Sequence, residues 1–127
     1  MNVIIVEDNI VIQLFLEQII LDLGYTLIGI CDNCEDTIAL IDNSQPDFIL
    51  MDVGICGDKD GIDTTEIINE KYQIPVIFLT GNSDSKTLQR IKEVNPFHIL
   101  KKPIEQIALV NELEKVAARL NEHNARI

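Results

Sequence analysis

The sequence predicts an α/β domain, with a doubly wound five-stranded parallel sheet and helices on both faces. Strand-like and helix-like segments alternate five times along the 127 residues, which is typical of right-handed βαβ crossovers. The segment Phe48–Asp52 is apolar at four consecutive positions and ends at an acid. Such a run is typical of a strand buried on both faces. No repeat or boundary interrupts the pattern, so we expect one domain at residues 1–121 and a C-terminal tail at 122–127.

Residue composition assigns each strand and helix in order. Short runs rich in β-branched or apolar residues predict strands at residues 2–6, 25–31, 48–52, 74–80 and 97–101. The segments that follow them have helical spacing and predict helices at residues 10–23, 62–71, 85–94 and 104–120, and one that starts at Asn33 or Cys34 and runs to residue 43. The apolar face expected for the first helix consists of Ile10, Leu14, Ile20 and Leu23. The face expected for the last helix consists of Val110, Leu113, Ala117 and Leu120.

Capping residues support these helix bounds. Asp8 or Asn9 is expected to cap the first helix, because short polar side chains accept hydrogen bonds from the first free N–H groups. Gly24 follows the same helix and is expected to end it. The D-x-x-E spacing at residues 63–66 is that of a capping box, so we expect it at the start of the third helix.

Composition narrows the classes of function. The net charge of −11 argues against direct binding to nucleic acid or to an anionic membrane surface. No apolar run approaches the ~20 residues of a transmembrane helix, and the N-terminus lacks the basic region of a signal peptide. A cytoplasmic location is therefore expected. Three cysteines are an odd number, and without an export signal we expect them to be reduced thiols.

Functional side chains follow the carboxyl ends of the predicted strands, where open α/β sheets bind ligands. They are Glu7 and Asp8 after the first strand, Asp52 at the end of the third, Thr80 at the end of the fourth and Lys102 after the fifth. If the strand order is 2-1-3-4-5, these residues meet in one shallow pocket at the point where the order reverses.

Such a pocket requires a cation. Two carboxylates about 4 Å apart repel each other by about 4 kcal/mol at an effective dielectric constant near 20, and Lys102 supplies a single positive charge. Mg²⁺ is the cation best suited to balance the remaining negative charge, because it binds through one or two carboxylates, keeps several waters and coordinates phosphate. Aspartate carboxylates form acyl phosphates. Asp52 beside a cation, an amine and a hydroxyl therefore matches the needs of phosphoryl transfer.

The separated positions form one motif set, which consists of Glu7-Asp8, Asp52, Thr80 and Lys102-Pro103. Their order and spacing resemble those of the receiver domain of two-component response regulators, including the chemotaxis regulators. Residues 60–63 (Asp-Gly-Ile-Asp) and 74–80 also resemble one receiver subgroup. The resemblance covers residues 3–120 and implies a flavodoxin-like fold with strand order 2-1-3-4-5.

The resemblance also implies a role for each motif residue. Asp52 is the phosphoacceptor for a histidine kinase or a phosphotransfer protein. Lys102 contacts the phosphoryl group, and Thr80 turns inward to form a hydrogen bond with it. The ligands implied for Mg²⁺ are Glu7, Asp8, Asp52 and the backbone carbonyl of Gly54. Phosphorylation then switches binding to a downstream protein, and the face of the fourth helix, fifth strand and fifth helix is a candidate homodimer surface. No enzyme activity is expected beyond the chain's own phosphoryl transfer and autodephosphorylation.

Two positions depart from the receiver pattern. Ile99 stands where receivers usually carry tyrosine or phenylalanine, and Cys56 stands where a proline is common. The alternative function is therefore a phosphorylation-independent receiver that acts as a binding module. A small phosphatase using Asp52 as nucleophile ranks lower, because Gly54 stands where such enzymes supply a second acid. No DNA-binding segment follows Leu120, so no output domain is expected within these residues.

Other motifs have two interpretations each. Cys31 and Cys34 form a C-x-x-C, which indicates small buried residues or, as the weaker alternative, a redox or zinc site. The acidic loop at residues 58–61 lacks the terminal acids of a calcium loop. His98 and His123 are expected to be ordinary surface or strand residues. The basic residues near the fourth helix and fifth strand are Lys86, Arg90, Lys92 and Lys101. They are interpreted as a solvated face or, alternatively, as a docking face for an acidic partner.

Overall fold

The computed structural model describes residues 1–82 and 84–125. The strands are β1 (Asn2–Val6), β2 (Thr26–Cys31), β3 (Phe48–Asp52), β4 (Val76–Thr80) and β5 (His98–Lys101). The helices are α1 (Ile10–Asp22), α2 (Cys34–Asp42), α3 (Gly61–Lys71), α4 (Ser85–Glu93) and α5 (Gln106–Ala125). All strand pairs are parallel, and the order β2-β1-β3-β4-β5 confirms the predicted doubly wound topology.

The sheet separates two apolar layers, because consecutive strand residues point to opposite faces. Helices α1 and α5 cover the layer that contains Leu50 and Leu79. Helices α2, α3 and α4 cover the layer that contains Met51 and Phe78. Every residue of β3 and β4 is buried, so the two strands that carry Asp52 and Thr80 are anchored on both faces.

The helix caps agree with the sequence at α1 and differ at α3. Asn9 caps α1, and its side chain accepts from the backbone N–H groups of the second and third residues of the helix. The capping box of α3 lies one turn earlier than predicted, between Asp60 and Asp63 rather than at residues 63–66. Asp60 accepts from the N–H of Asp63 at 2.9 Å, and Asp63 accepts from the N–H of Asp60 at 3.2 Å. The helix can start earlier because Gly61 allows a close approach to β3.

The apolar faces of α1 and α5 were predicted only in part. Ile10 and Leu14 are 64% and 58% exposed, whereas the buried residues of α1 are Leu16, Ile19 and Ile20. In α5 the fully buried apolar residues are Leu109, Leu113 and Val116. Of the other expected residues, Val110 and Leu120 pack at the edge of the same layer, and Ala117 is half-buried. Apolar residues occur on several sides of α1, so spacing alone does not select the buried stripe.

Several element bounds also differ from the prediction. β2 and β5 each begin one residue later than expected, and β4 begins two residues later, after Pro75. Helix α5 begins at Gln106 and continues to Ala125, because residues 121–125 include neither glycine nor proline. In the part of the chain that the structure describes, no helix combines the length and apolar character needed to cross a membrane.

Candidate functional site

The carboxyl ends of β1 and β3 bring three acids together. The two strands pair with Val6 opposite Met51, so the residues that follow, Glu7 and Asp52, are neighbours. One carboxylate oxygen from each of Glu7, Asp8 and Asp52 lies within 4.8 Å of the others. We call these three residues the acid pocket. The structure brings together the acids that the sequence predicted to meet.

Lys102 reaches the acid pocket from the end of β5. Its Nζ lies 3.1 Å from Asp52 Oδ1 and 3.1 Å from Glu7 Oε2. Its backbone N–H donates to the carbonyl of Thr80 at 2.8 Å, and the Lys102–Pro103 peptide bond is cis. Burial alone would lower the pKa of Lys102, but the hydrogen bond and charge of Asp52, and then those of Glu7, raise it. The ammonium therefore stays charged and balances one carboxylate.

The carboxylate of Glu7 retains an unsatisfied oxygen. Glu7 is fully buried, and its Oε2 accepts no hydrogen bond despite the nearby Nζ of Lys102. Burial and the charge of Asp52 raise the pKa of Glu7, although the backbone N–H of Asn9 and Lys102 oppose the rise. A buried carboxylate stays charged only beside a cation, and Lys102, whose Nζ lies 3.1 Å from Oε2, supplies one positive charge. Three carboxylates with one ammonium leave a charge of −2, so the donor set fits a hard divalent cation such as Mg²⁺.

Backbone contacts fix the position of Glu7. Its N–H donates to the carbonyl of Cys31 at 2.9 Å, and the side-chain amide of Gln13 donates to its carbonyl at 2.6 Å. The N–H of Asn9 donates to Glu7 Oε1 at 3.1 Å. Because Asn9 also caps α1, the start of that helix and the orientation of the Glu7 carboxylate are set together.

Thr80 ends β4, but its hydroxyl is bonded within its own turn. The side chain is 2% exposed. Its Oγ1 donates to the carbonyl of Asn82 at 2.9 Å and accepts from the N–H of Asn82 at 3.0 Å. The carbonyl of Thr80 binds Lys102 while the hydroxyl engages the turn before α4. A hydroxyl has a single proton to donate, so donation to a phosphoryl group would require the hydrogen bond to the Asn82 carbonyl to break.

Gly61 supports Asp52, a role that the sequence alone does not indicate. Its N–H donates to the carbonyl of Val53 at 2.8 Å. A Cβ at Gly61 would overlap the carbonyl oxygen of Asp52 and lie 2.9 Å from its carbonyl carbon. The glycine before a helix was visible in the sequence, but the close approach of α3 to β3 was not. Gly54, two residues after Asp52, lies exposed in the turn after β3.

A family model of the response regulator receiver domain matches residues 3–114. This chain belongs to the response regulator receiver family. The match includes every residue of the acid pocket together with Thr80 and Lys102. Receivers are signalling modules rather than general enzymes, and they act through kinases and downstream targets.

Curated relatives of this receiver are longer proteins. The transcriptional regulatory protein PdtaR of Mycobacterium tuberculosis is 28% identical over 124 residues, which cover 98% of this chain and 60% of PdtaR. The phyllosphere-induced regulator PhyR of Methylorubrum extorquens is 25% identical over 131 residues, which cover 98% of this chain and 48% of PhyR. The receiver therefore spans about half to three fifths of the length of these two proteins.

Solved receiver structures share the fold along nearly the whole chain. The signal receiver domain of a modulated diguanylate cyclase from Desulfovibrio desulfuricans G20 is 33% identical, with a TM-score of 0.87 and coverage of 96% of this chain and 97% of that one. The N-terminal domain of a three-domain response regulator from Carboxydothermus hydrogenoformans is 27% identical, with a TM-score of 0.85 and coverage of 98% and 99%.

The structure shows what replaces the aromatic residue of the receiver pattern. Ile99 pairs with Phe78 between β4 and β5. It is half-buried and packs against the apolar layer under α2, α3 and α4. The layer is thus completed by an aliphatic side chain, and rotation of an aromatic ring is not available at this position.

Cys56 lies beside the acid pocket, a position that the sequence alone does not indicate. Its exposed thiol donates to Asp8 Oδ2 at a distance of 3.7 Å. Partial desolvation and the nearby carboxylates of Asp8 and Asp32 raise the pKa of Cys56. A raised pKa argues against a reactive thiolate of the kind that catalytic cysteines carry.

The remaining motifs do not join the acid pocket. Cys34 is buried and Cys31 packs against an apolar layer, which favours the interpretation as small hydrophobic residues. Arg90 pairs with Asp60 at 2.8 Å, so it belongs to the contact between α3 and α4 rather than to a free basic face. His98 Nε2 lies 3.5 Å from Glu112 Oε1. The side chain of His123 lies outside the described residues.

Proposed function

We propose that this receiver is the phosphoacceptor of a two-component phosphorelay, in which Asp52 is phosphorylated by a histidine kinase or a phosphotransfer protein in the presence of Mg²⁺. The observation that carries the proposal is the contact of Lys102 with both Glu7 and Asp52, in a cluster of three carboxylates that one ammonium does not neutralise. Such a site supports charge neutralisation, on which catalysis of phosphoryl transfer depends.

Asp52 supplies the nucleophile in this proposal. One of its carboxylate oxygens attacks the phosphorus of a phosphohistidine, the new P–O bond forms, the N–P bond breaks, and the imidazole keeps the electron pair. Lys102 is close enough to follow the new phosphoryl oxygens, since its Nζ already lies 3.1 Å from Asp52 Oδ1. Mg²⁺ supplies positive charge to the phosphoryl oxygens. Its proposed ligands are Glu7, Asp8, Asp52 and the carbonyl of Gly54.

Thr80 is the proposed link between phosphorylation and partner binding. A phosphoryl group on Asp52 offers acceptor oxygens that compete for the Thr80 hydroxyl, which now donates to the carbonyl of Asn82. Breaking that bond would free the turn between β4 and α4. Because Ile99 cannot rotate as an aromatic ring does, we propose that this turn carries the signal to a downstream protein.

An apolar groove beside the acid pocket supports a protein as the phosphoryl donor. The groove has a volume of about 320 Å³ and is lined by Val11, Ile12, Phe15, Lys102, Pro103 and Ile104. Its Lys102 also contacts Glu7 and Asp52 of the acid pocket, so a protein bound in the groove would be adjacent to Asp52. Two further apolar residues, Leu14 of α1 and Ile107 of α5, are exposed. We propose a cytoplasmic donor and no direct contact with nucleic acid or membrane.

Treatment with acetyl phosphate tests the phosphoacceptor proposal. Intact-mass spectrometry of the Mg²⁺-loaded protein should show one added phosphoryl group, which Asp52→Asn should abolish because the amide is not a nucleophile. Asp58→Asn, an exposed acid in the following loop, is the matched control and should accept the phosphoryl group normally. Equal labelling of the Asp52→Asn protein would refute the assignment.

The alternative is a phosphorylation-independent binding module. Two observations favour it: the Thr80 hydroxyl already donates to the Asn82 carbonyl, and Ile99 stands in place of the usual aromatic residue. Amide hydrogen exchange with and without beryllofluoride separates the two functions. Switching predicts faster or slower exchange at Asn82 and in the first turn of α4. A binding module predicts changes confined to the acid pocket.

A further inference from the structure

The backbone carbonyl of Glu7 is held by a side chain that the proposed function does not use. Gln13 is the fourth residue of α1, and its side-chain amide donates to this carbonyl at 2.6 Å. Glu7 lies beyond the last residue of β1. In the described part of the chain, no backbone N–H donates to the Glu7 carbonyl. The amide of Gln13 therefore takes the place of a backbone partner.

The start of α1 fixes Gln13 in this position. The backbone N–H of Gln13 donates to the carbonyl of Asn9 at 2.9 Å, and the N–H of Asn9 donates to Glu7 Oε1 at 3.1 Å. Gln13 is half-buried, and a hydrogen bond shielded from water is stronger than one in solvent. The helix thus holds the peptide that follows Glu7 through a fixed side chain.

This peptide joins two carboxylates of the acid pocket. A peptide unit is planar, so a fixed Glu7 carbonyl also fixes the direction in which the chain continues to Asp8. The Glu7 carboxylate is held independently by Asn9 and Lys102. Asp8 is exposed, and among the described residues the one hydrogen bond to its side chain comes from the Cys56 thiol at 3.7 Å. The orientation of Asp8 therefore depends on its backbone.

We propose that Gln13 is a positioning residue of the acid pocket, whose amide orients the Glu7–Asp8 peptide and thereby keeps the Asp8 carboxylate beside those of Glu7 and Asp52. The inference rests on the Mg²⁺ binding of the proposed function and adds a residue on which that binding depends. Groups that orient metal ligands without touching the metal contribute about 10- to 100-fold to affinity. Gln13 is uncharged and acts through Asp8.

Titration calorimetry of the full chain with Mg²⁺ tests this role. Gln13→Met keeps the length of the side chain and removes the donor, so the dissociation constant for Mg²⁺ should rise by about tenfold or more. Gln13→Asn keeps the amide but is too short to reach the carbonyl, and should weaken binding in the same way. Gln18→Met is the matched control, because Gln18 donates to Asp22 Oδ1 at 2.8 Å on the same helix. It should leave the Mg²⁺ affinity unchanged.

A double-mutant cycle separates positioning from a general effect on the fold. Because Gln13 acts through Asp8, Gln13→Met should weaken Mg²⁺ binding much less in the Asp8→Asn protein than in the wild type. An equal loss in both backgrounds would overturn the inference, and so would equal Mg²⁺ affinity of Gln13→Met and wild type. Gln13→Asn carries the test if Gln13→Met does not fold.

The same titrations distinguish this inference from the proposed function. If the wild type binds Mg²⁺ and the Gln13 variants bind it equally well, only the role of Gln13 fails. If the wild type binds no Mg²⁺, the metal site of the proposed function fails, and the role of Gln13 fails with it.

Discussion

At the scale of single residues, the position of Asp52 depends on a glycine that carries no functional group. Gly61 begins α3 directly against the end of β3, and its N–H donates to the carbonyl of Val53. An added Cβ would overlap the Asp52 carbonyl oxygen and lie 3.0 Å from Met51 Cγ. Both neighbours belong to a buried strand and cannot move freely. The absence of a side chain at Gly61 therefore sets how closely the helix approaches the phosphoacceptor candidate.

We expect Gly61→Ala to destabilise the protein by about 1–3 kcal/mol, because the new methyl group forces α3 away from β3. The same displacement moves the backbone of Asp52. We therefore expect phosphoryl uptake from acetyl phosphate to slow by about tenfold or more, since a shift of about 1 Å at a reacting group can cost about 100-fold in rate. Urea denaturation and phosphorylation kinetics measure the two effects.

Gly81→Ala is the matched control for stability. A Cβ at Gly81 would meet no atom within 4 Å, so the substitution should change the unfolding free energy by less than about 1 kcal/mol. If Gly61→Ala proved as stable as Gly81→Ala, the close contact between α3 and Asp52 would not constrain the fold.

At the scale of elements, Asp60 joins two helices at once. It caps α3 through its hydrogen bond with the N–H of Asp63, and it pairs with Arg90 of α4 at 2.8 Å. Arg90 also contacts Asp63 at 3.2 Å. The Arg90 and Asp60 side chains are 39% and 29% exposed, so solvent screens the pair in part. This contact links the helix that follows the Asp52 loop to the helix that follows the Thr80 turn.

The Asp60–Arg90 pair predicts a dependence of stability on pH. Burial alone would raise the pKa of Asp60, but hydrogen bonds from Arg90 and from the Asp63 N–H outweigh burial and lower it below the ordinary value of 3.8. A lowered carboxyl pKa contributes stability above the unfolded pKa, and the contribution is lost as pH falls through the folded value. At neutral pH, Asp60→Asn should cost about 0.5–1 kcal/mol, and the difference from wild type should shrink as pH falls below 3.8 through the lowered folded pKa of Asp60.

Urea denaturation of both proteins between pH 7 and pH 3 measures this difference. Asparagine caps helices about as well as aspartate, so the variant keeps the cap and loses the charge. Added salt should reduce the difference at pH 7, because the pair is partly exposed. A cost that stays constant across the pH range would indicate a lost cap rather than a lost ion pair.

At the scale of the whole molecule, the sequence was sufficient for the topology and for the acids of the site. Strands buried on both faces can be recognised in the sequence as continuous apolar runs, and a parallel sheet places their carboxyl ends along one edge. Glu7, Asp52 and Lys102 could therefore be assigned to one pocket from their places after β1, at the end of β3 and after β5. The strand order and these contacts bear out that reasoning.

Features that depend on loops and on helix rotation could not be predicted. Apolar residues lie on several sides of α1, so spacing did not identify its buried face. Leu14 was expected on that face and is exposed. The contact of Cys56 with Asp8 depends on how two loops cross. The hydrogen bonds of Thr80 with Asn82 form within a turn whose geometry no periodic pattern encodes.

The charge of the acid pocket makes the stability of the whole molecule depend on Mg²⁺. Binding to the native state adds about 1.4 kcal/mol at ten times the dissociation constant, or roughly 4–7 °C in melting temperature for a chain of this size. Because burial raises the pKa of Glu7, protons compete with the cation and the shift should shrink as pH falls. Differential scanning calorimetry at millimolar Mg²⁺ measures both effects.

Controls separate specific binding from screening of the net charge of −11. NaCl at matched ionic strength should give a smaller shift, and Asp58→Asn, which removes an exposed charge outside the pocket, should keep the full Mg²⁺ effect. Asp8→Asn and Asp52→Asn should each reduce it, since each removes a proposed ligand. Equal Mg²⁺ shifts of the melting temperature in all three variants and wild type would mean that the cation only screens the overall negative charge of the protein. The cluster of Glu7, Asp8 and Asp52 would then have no role in binding it.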